Sequence, residues 1–154
     1  MGGDFDHRWT QARESIEAMK EMWTKDEAEY HGRYYDFPKV RVNPKPAQKP
    51  HPPVFLGGAA TNVFKRVVTY GDGWMPVRAT PESVRAGRAS LDELADAAGR
   101  DPKSIQILIY GASSRDEIDQ MEEAGADMAT VRLPSTAPGE AIPGLEHLAE
   151  EMLV

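Results

Sequence analysis

The alternation of apolar and polar residues divides the chain into a leading helix, an irregular middle segment, and a series of strands and helices. From about Thr10 to Thr24, apolar residues recur every three or four positions, which predicts an amphipathic helix. Residues 28–53 begin with a short hairpin that turns at Gly32, and they contain half of the chain's 12 prolines. Because a regular helix cannot form there, we expect an extended, semi-rigid excursion.

Beyond this excursion, short apolar segments typical of strands are each followed by a segment with a helical period. The predicted strands cover residues 54–56, 73–77, 104–110 and 127–133, and the predicted helices cover 62–70, 81–98, 115–124 and 143–154. Two helix starts carry capping signals, with Thr80 before Pro81 and Ser114 three residues before Glu117. Strands that alternate with helices predict an α/β fold with a parallel sheet.

Two architectures fit four parallel strand–helix units. The 154 residues suit a single domain, 1–154, with its own hydrophobic core. The four units could form an open α/β sandwich, or they could be half of a (β/α)8 TIM barrel, which normally needs roughly 250 residues. The periodicity of the sequence leaves both architectures open.

Composition excludes several classes of function. The chain has no Cys, which removes disulfides, thiolate nucleophiles and Cys-ligated metals, and its 4 His are scattered, so no metal site is predicted. A net charge of −7 argues against general nucleic-acid binding. No apolar run is long enough to span a membrane, and the first residues lack the features of an export signal, so we expect a cytoplasmic protein.

Positive charge is concentrated in one part of this acidic chain. Residues 31–66 contain seven basic side chains and a single acid, Asp36. A local basic segment of this kind suits a small anionic ligand. Solvated lysines on a loop explain it equally well.

The segment with the most chemical information is 52–62, where a predicted buried strand runs into small residues and then a helix. Small residues let a ligand approach the backbone, and a helix start offers free N–H groups and a positive dipole end to an anion. Lys65 and Arg66 lie one turn further on and add positive charge. A plain tight turn is the alternative interpretation. The four small residues are Gly57, Gly58, Ala59 and Ala60.

Trp74 lies on the second predicted strand, where it either flanks a planar ligand or packs in the interior, and interior packing is favoured. Asp72 lies between two glycines and is interpreted as a turn residue, while Ser113 and Ser114 are interpreted as helix caps. The chain contains no nucleophile elbow, P-loop or dinucleotide fingerprint, and no acid–base pair stands out. The sequence therefore assigns no catalytic residue.

Taken together, several segments in the same order and spacing resemble the bacterial luciferase-like monooxygenase family. They are most similar to its actinobacterial members, which depend on the deazaflavin coenzyme F-420. The similarity spans nearly the whole chain. The matching segments are residues 8–23, 29–35, 43–46, 48–58 and 71–76.

The resemblance implies a (β/α)8 barrel with an insertion, of which this chain corresponds to the C-terminal half. It implies that Gly57, Gly58, Ala59 and Ala60 cradle the phosphate of FMN or coenzyme F-420, and it keeps Trp74 as a candidate cofactor contact. Residues 28–53 would border the substrate cleft. In the family, the usual acid–base residues and many contacts to the ring come from the first half of the barrel, which has no counterpart here.

A half-barrel would have two open sheet edges and an exposed apolar inner face. We therefore expect a homodimer or a higher homo-oligomer that covers this face. The expected function is that of a truncated flavin- or deazaflavin-dependent oxidoreductase that keeps the phosphate half of the cofactor site, with F-420 favoured over FMN because its oligoglutamate tail is anionic. The alternative is a non-catalytic, dimeric remnant with a structural or ligand-binding role.

Overall fold

The computed structural model describes residues 5–59, 62–133, 135 and 137–152. The chain divides into two compact units, Met1–Val54 and Phe55–Val154. The boundary between them falls directly after the predicted excursion.

The first unit consists of a helix, a hairpin and an extended segment. Helix α1 (Arg8–Thr24) begins two residues before its predicted start. Strands β1 (Ala28–His31) and β2 (Asp36–Val40) pair antiparallel, and in the turn between them the Gly32 N–H donates to the Tyr35 carbonyl at 2.8 Å. Residues 41–54, all of which are described, contain no helix or strand. The predicted hairpin is confirmed, and the described proline-rich residues form no regular helix, as expected.

A buried carboxylate connects α1 to the hairpin turn. Glu14 is 6% exposed, and its Oε2 accepts a hydrogen bond from the Tyr34 backbone N–H at 2.7 Å. This bond, together with those from neighbouring backbone N–H groups, holds the pKa of Glu14 below its ordinary value, against the opposite effect of desolvation. A Cβ at Gly32 would lie 2.5 Å from the same Oε2. Glycine at position 32 therefore leaves the space that the carboxylate fills.

The second unit is a parallel four-stranded sheet with helices between its strands. All neighbouring strands are parallel and lie in chain order. The four predicted strand–helix units are confirmed. The strands are β3 (Phe55–Gly57), β4 (Gly73–Met75), β5 (Gln106–Ala112) and β6 (Met128–Val131), and the helices are α2 (Val63–Tyr70), α3 (Pro81–Ala97), α4 (Arg115–Glu123) and α5 (Pro138–Met152), with a 3-10 turn at Pro102–Ser104.

The register of the sheet determines which side chains share a face. Leu56 pairs with Trp74, and Trp74 pairs with Ile107, so these three side chains project to the same side. They join the apolar faces of α2, α3 and α4 in one core. The helices that form this core therefore all pack against one face of the sheet. The buried helix residues of the core are Val63, Val67, Val68, Val84, Leu91, Ala95 and Met121.

The other face of the sheet carries apolar side chains that the helices do not cover. Phe55 and Gly73 are paired on this face, and a Cβ at Gly73 would lie 2.4 Å from the Phe55 ring, so the ring lies over the glycine. Further along the sheet, Tyr110 and Met128 are 66% and 46% exposed. We call this the uncovered face.

An arginine fastens α3 to the amino ends of β5 and β6. The Arg88 guanidinium donates to the carbonyls of Ile105 at 2.8 Å and Gly125 at 3.1 Å, and it pairs with the Asp127 carboxylate. That carboxylate also accepts the Ile107 N–H at 2.7 Å. These contacts satisfy backbone groups at the amino ends of the strands, opposite the carboxyl end of the sheet where Gly57 and Gly58 lie.

Candidate functional site

The Gly-Gly turn lies at the carboxyl end of β3, beside the end of β4. Gly57 is in register with Met75, and the Gly58 N–H donates to the Met75 carbonyl at 3.3 Å. Gly58 has a φ of +117°, which residues with a side chain rarely adopt. A Cβ at Gly58 would meet no atom of the described residues within 4 Å, and one at Gly57 would come no closer than 3.7 Å. The turn therefore faces open space.

Helix α2 follows this turn, and the described residues provide no side-chain cap for its start. The side chain of the N-cap residue, Asn62, makes no capping hydrogen bond among the described residues, and the first turn contains no acidic residue. The first turn does contain Lys65 and Arg66. The free N–H groups of a helix start and its dipole favour an anion there.

The starts of the next two helices are closed by their own side chains. In α3, Thr80 Oγ1 accepts the Ser83 N–H at 3.2 Å, and Ser83 Oγ accepts the Thr80 N–H at 2.9 Å. In α4, Ser114 Oγ accepts the Glu117 N–H at 3.2 Å. Both caps were predicted from the sequence. Among α2, α3 and α4, only α2 has a start that no described side chain caps, and this start is therefore open to an external anion.

A carboxylate reinforces the closed start of α4. Glu117 Oε2 accepts hydrogen bonds from the Ser113 hydroxyl at 2.7 Å and from the Ser113 N–H at 2.8 Å. The Ser113 hydroxyl, which has the larger effect, and the Ser113 N–H hold the pKa of Glu117 below its ordinary value. Ser114 therefore caps α4 as predicted, whereas Ser113 does not cap the helix but binds the carboxylate of Glu117 in its first turn.

The structure places Trp74 behind the turn, among the helices. Its side chain is 4% exposed, its ring meets the Phe64 ring edge-on at 4.9 Å, and a Cβ at Gly87 would lie 2.2 Å from it. Its indole N–H donates to the Gly58 carbonyl at 2.9 Å. Trp74 thus belongs to the core, and it holds the Gly58 carbonyl in place from the side of the sheet on which the helices pack.

The structure describes three of the four small residues of the predicted cradle. Gly57, Gly58 and Ala59 are consecutive at the end of β3, and Gly57 and Ala59 are exposed. Ala60 lies outside the described residues. The sequence therefore located this turn correctly at the junction of a strand and a helix.

Part of the basic segment 31–66 is engaged inside the first unit. Arg41 pairs with Glu27 at 2.9 Å. Lys45 Nζ donates to the Met22 carbonyl at 2.7 Å and to the Lys25 carbonyl, at the end of α1. A cation at a helix C-terminus is stabilising. These two basic residues are thus explained by contacts within the fold.

Sequence reasoning missed a feature at the end of β5. The strand continues past the predicted end at Tyr110, and its pairing with β6 is irregular between Ile109 and Ala112. Gly111 has a φ of +76°, and its N–H donates to Thr130 Oγ1 at 3.1 Å. The Tyr-Gly pair at the end of an alternating strand was the available signal, because glycine inside a strand pattern often marks a bulge.

Two kinds of feature are absent from the part of the chain that the structure describes. It contains no group of three His, Asp or Glu side chains that could hold a metal ion. None of its helices is both long enough and apolar enough to cross a membrane.

Comparison with known proteins connects this architecture to a protein family. A family model described as luciferase-like monooxygenase matches residues 1–151. An uncharacterised protein of Mycobacterium tuberculosis is 32% identical over 148 residues, which cover 94% of this chain and 51% of that protein. An FMNH2-dependent dimethylsulfone monooxygenase of Pseudomonas putida is 35% identical over 94 residues, which cover 56% of this chain and 26% of that enzyme. The chain spans about half the length of the M. tuberculosis relative.

Solved structures with the same fold include redox enzymes. A monooxygenase from Streptomyces bottropensis superposes with a TM-score of 0.76 at 18% identity, over 97% of this chain and 62% of that one. An F-420-dependent secondary alcohol dehydrogenase superposes with a TM-score of 0.72 at 16% identity, over 99% of this chain and 64% of that one. These likenesses show a shared fold.

Proposed function

The chain belongs to the luciferase-like monooxygenase family, and from that premise we propose that it binds FMN or coenzyme F-420 as part of a flavin- or deazaflavin-dependent oxidoreductase. The phosphate of the cofactor is held by Gly57, Gly58, Ala59 and Ala60 and by the start of α2. Trp74 positions the Gly58 carbonyl from behind. The observation that carries this proposal is the uncapped start of α2 beside an open glycine turn.

The proposed cradle fits a phosphate in both charge and shape. The first backbone N–H groups of α2 can donate to phosphate oxygens, and the helix dipole and the two cations of its first turn favour negative charge. The absence of a side chain at Gly57 and Gly58 leaves the space for the group. When bound, the cofactor supplies the hydride-transfer or oxygenation chemistry, and the residues of the cradle bind and orient its phosphate end.

We also propose that the second unit is half of a (β/α)8 barrel. Its strands follow chain order, and the core-forming helices lie on one face, whereas a doubly wound sheet has helices on both faces. Among the described residues, strands β3 and β6 each pair with a single neighbour, so both leave an open edge. We infer that a homodimer or higher homo-oligomer covers the uncovered face.

The cradle is tested with a matched pair of substitutions at two left-handed glycines. Gly58→Asp places a carboxylate in the proposed phosphate position. Gly99→Asp is the control, because Gly99 also has a positive φ, of +68°, and also has no described atom within 4 Å of an added Cβ. We expect wild-type protein to bind FMN more tightly than riboflavin, which lacks the phosphate, and Gly58→Asp to weaken FMN binding by roughly tenfold or more.

Titration followed by flavin fluorescence, or by calorimetry, measures both affinities. Gly99→Asp should leave the affinity for FMN unchanged. Equal binding of FMN and riboflavin by the wild type would exclude the phosphate cradle. So would an FMN affinity that is the same for both glycine variants.

The exposed apolar residues of the uncovered face favour a second candidate function. They also suit a non-catalytic, dimeric protein that keeps a structural or ligand-binding role. Titration with FMN and with coenzyme F-420 separates the two functions. Micromolar binding of either cofactor supports the oxidoreductase, and binding of neither supports the remnant.

A further inference from the structure

An exposed aromatic ring lies at the same end of the sheet as the Gly-Gly turn, namely at the carboxyl ends of the strands. Gly57 is in register with Met75 on the adjacent strand, and Met75 lies beside Leu108 on the next one. Tyr110 follows Leu108 by two residues on the same face of β5, toward the carboxyl end of the strand. Strands β3 and β5 are two interstrand spacings apart, about 10 Å, and Tyr110 lies about 7 Å further along its strand than Leu108.

The backbone around Tyr110 is shaped by an irregularity in the sheet. The pairing of β5 with β6 shifts between Ile109 and Ala112, and Gly111 within this shift has a φ of +76°. The Gly111 N–H is held by Thr130 Oγ1 at 3.1 Å. Bulges of this kind occur at the rims of barrels and next to active sites, where they redirect a side chain.

Tyr110 has an open ring face and apolar neighbours. It is 66% exposed, and neither its ring nor its hydroxyl contacts another aromatic ring or a hydrogen-bonding partner among the described residues. On the adjacent elements, Val77 lies two residues past the end of β4 and is 64% exposed, and Met128 on β6, which is in register with Leu108, is 46% exposed. An aromatic platform with apolar residues on both sides is suited to a planar, largely apolar ring system.

We propose that Tyr110 is the residue against which the ring of the cofactor stacks, an inference that rests on the proposed function. In this arrangement, the phosphate of the cofactor is held at the end of β3 and its ring at the end of β5. The part of the cofactor that links the ring to the phosphate then crosses β4. Tyr110 is then a binding residue for the ring, in addition to the cradle that binds the phosphate.

Flavin fluorescence tests this proposal, because a tyrosine in van der Waals contact quenches flavin emission by electron transfer and a phenylalanine does not. We expect the wild type to quench bound FMN and bound riboflavin. Tyr110→Phe should keep the affinity for both ligands and restore most of the emission. Tyr110→Ala should weaken both ligands by about fivefold through loss of the stacking contact. Tyr35→Phe, the same substitution in the hairpin turn, is the control and should change neither.

The two ligands and the two sites make the outcomes separable. Quenching that persists unchanged in Tyr110→Phe overturns the assignment of Tyr110, even if FMN still binds more tightly than riboflavin. Equal affinities for FMN and riboflavin, with emission that still depends on Tyr110, support the ring site and overturn the cradle. Failure of the wild type to bind either ligand overturns both.

Discussion

Gly57 and Gly58 are adjacent in sequence, but an added side chain would lower the free energy of unfolding by different amounts at the two positions. We predict that Gly58→Ala lowers the free energy of unfolding by about 1–2 kcal/mol, because its φ of +117° strains any residue with a Cβ. Gly57→Ala should change it by less than about 0.5 kcal/mol, because the new Cβ would make an ordinary contact at 3.7 Å. Urea denaturation of both variants measures the difference, and equal stabilities would contradict the geometry of the turn.

At the residue scale, the glycine turn and the burial of Trp74 could be predicted, but the face of the sheet on which Trp74 lies could not. Two glycines after an apolar segment mark the end of a strand whatever the tertiary structure. The strand that carries Trp74 has only three residues, Gly73–Met75, which is too short to show an alternation. Its face depends on its register with Ile107, a contact across 33 residues of sequence that periodicity does not contain.

At the scale of elements, the contact between α1 and the hairpin should depend on pH. The folded protein holds the pKa of Glu14 below its ordinary value of 4.5, mainly through the Tyr34 N–H. The stability that this carboxylate contributes is therefore present above the unfolded pKa and is lost as the pH falls through the folded pKa, below 4.5. We predict that Glu14→Gln reduces the loss of stability between pH 7 and pH 3.

Urea midpoints at the two pH values measure this effect. Glu29→Gln is the control, because Glu29 is an exposed carboxylate on β1. Glu117, whose pKa is also lowered, should leave part of the acid dependence in every variant. If Glu14→Gln retains the full acid dependence of the wild type, the carboxylate does not stabilise the turn.

The elements themselves were predicted where local chemistry determines them. The starts of α3 and α4 follow from capping side chains that act within four residues. The start of α5 was predicted at Pro143, and this was wrong. The helix begins at Pro138, a second proline that suits the first position, and Pro143 lies inside it. Two equivalent local signals compete there, and the sequence pattern does not rank them.

At the scale of the whole molecule, the uncovered face should drive self-association. We predict that light scattering gives a mass of at least two chains for the wild type, and that Met128→Glu shifts the population toward the monomer, because Met128 is exposed on β6 at that face. Ile142→Glu is the control, because Ile142 is also exposed but lies on α5. A wild type that stays monomeric at high concentration would contradict the prediction.

The periodicity of the sequence predicted the class and the strand–helix order of the second unit but left open the choice between a sandwich and a barrel segment, for which only the resemblance to a family favoured the barrel. That choice depends on which faces the helices cover, and coverage emerges only when Trp74 and Ile107 are seen to share a side with α2 and α3. The division of the chain at Val54 was likewise invisible to periodicity, because it reflects how densely distant residues contact one another.

The order of the strands also bears on how such a protein could evolve. In the second unit each strand bonds to its neighbour in sequence, so a further module can be appended after β6, or inserted before β3, without breaking an existing ladder. Tandem duplication of the gene segment for residues 55–152 would thus join new modules to old ones through the backbone N–H and C=O groups of β6 that pair with no strand among the described residues.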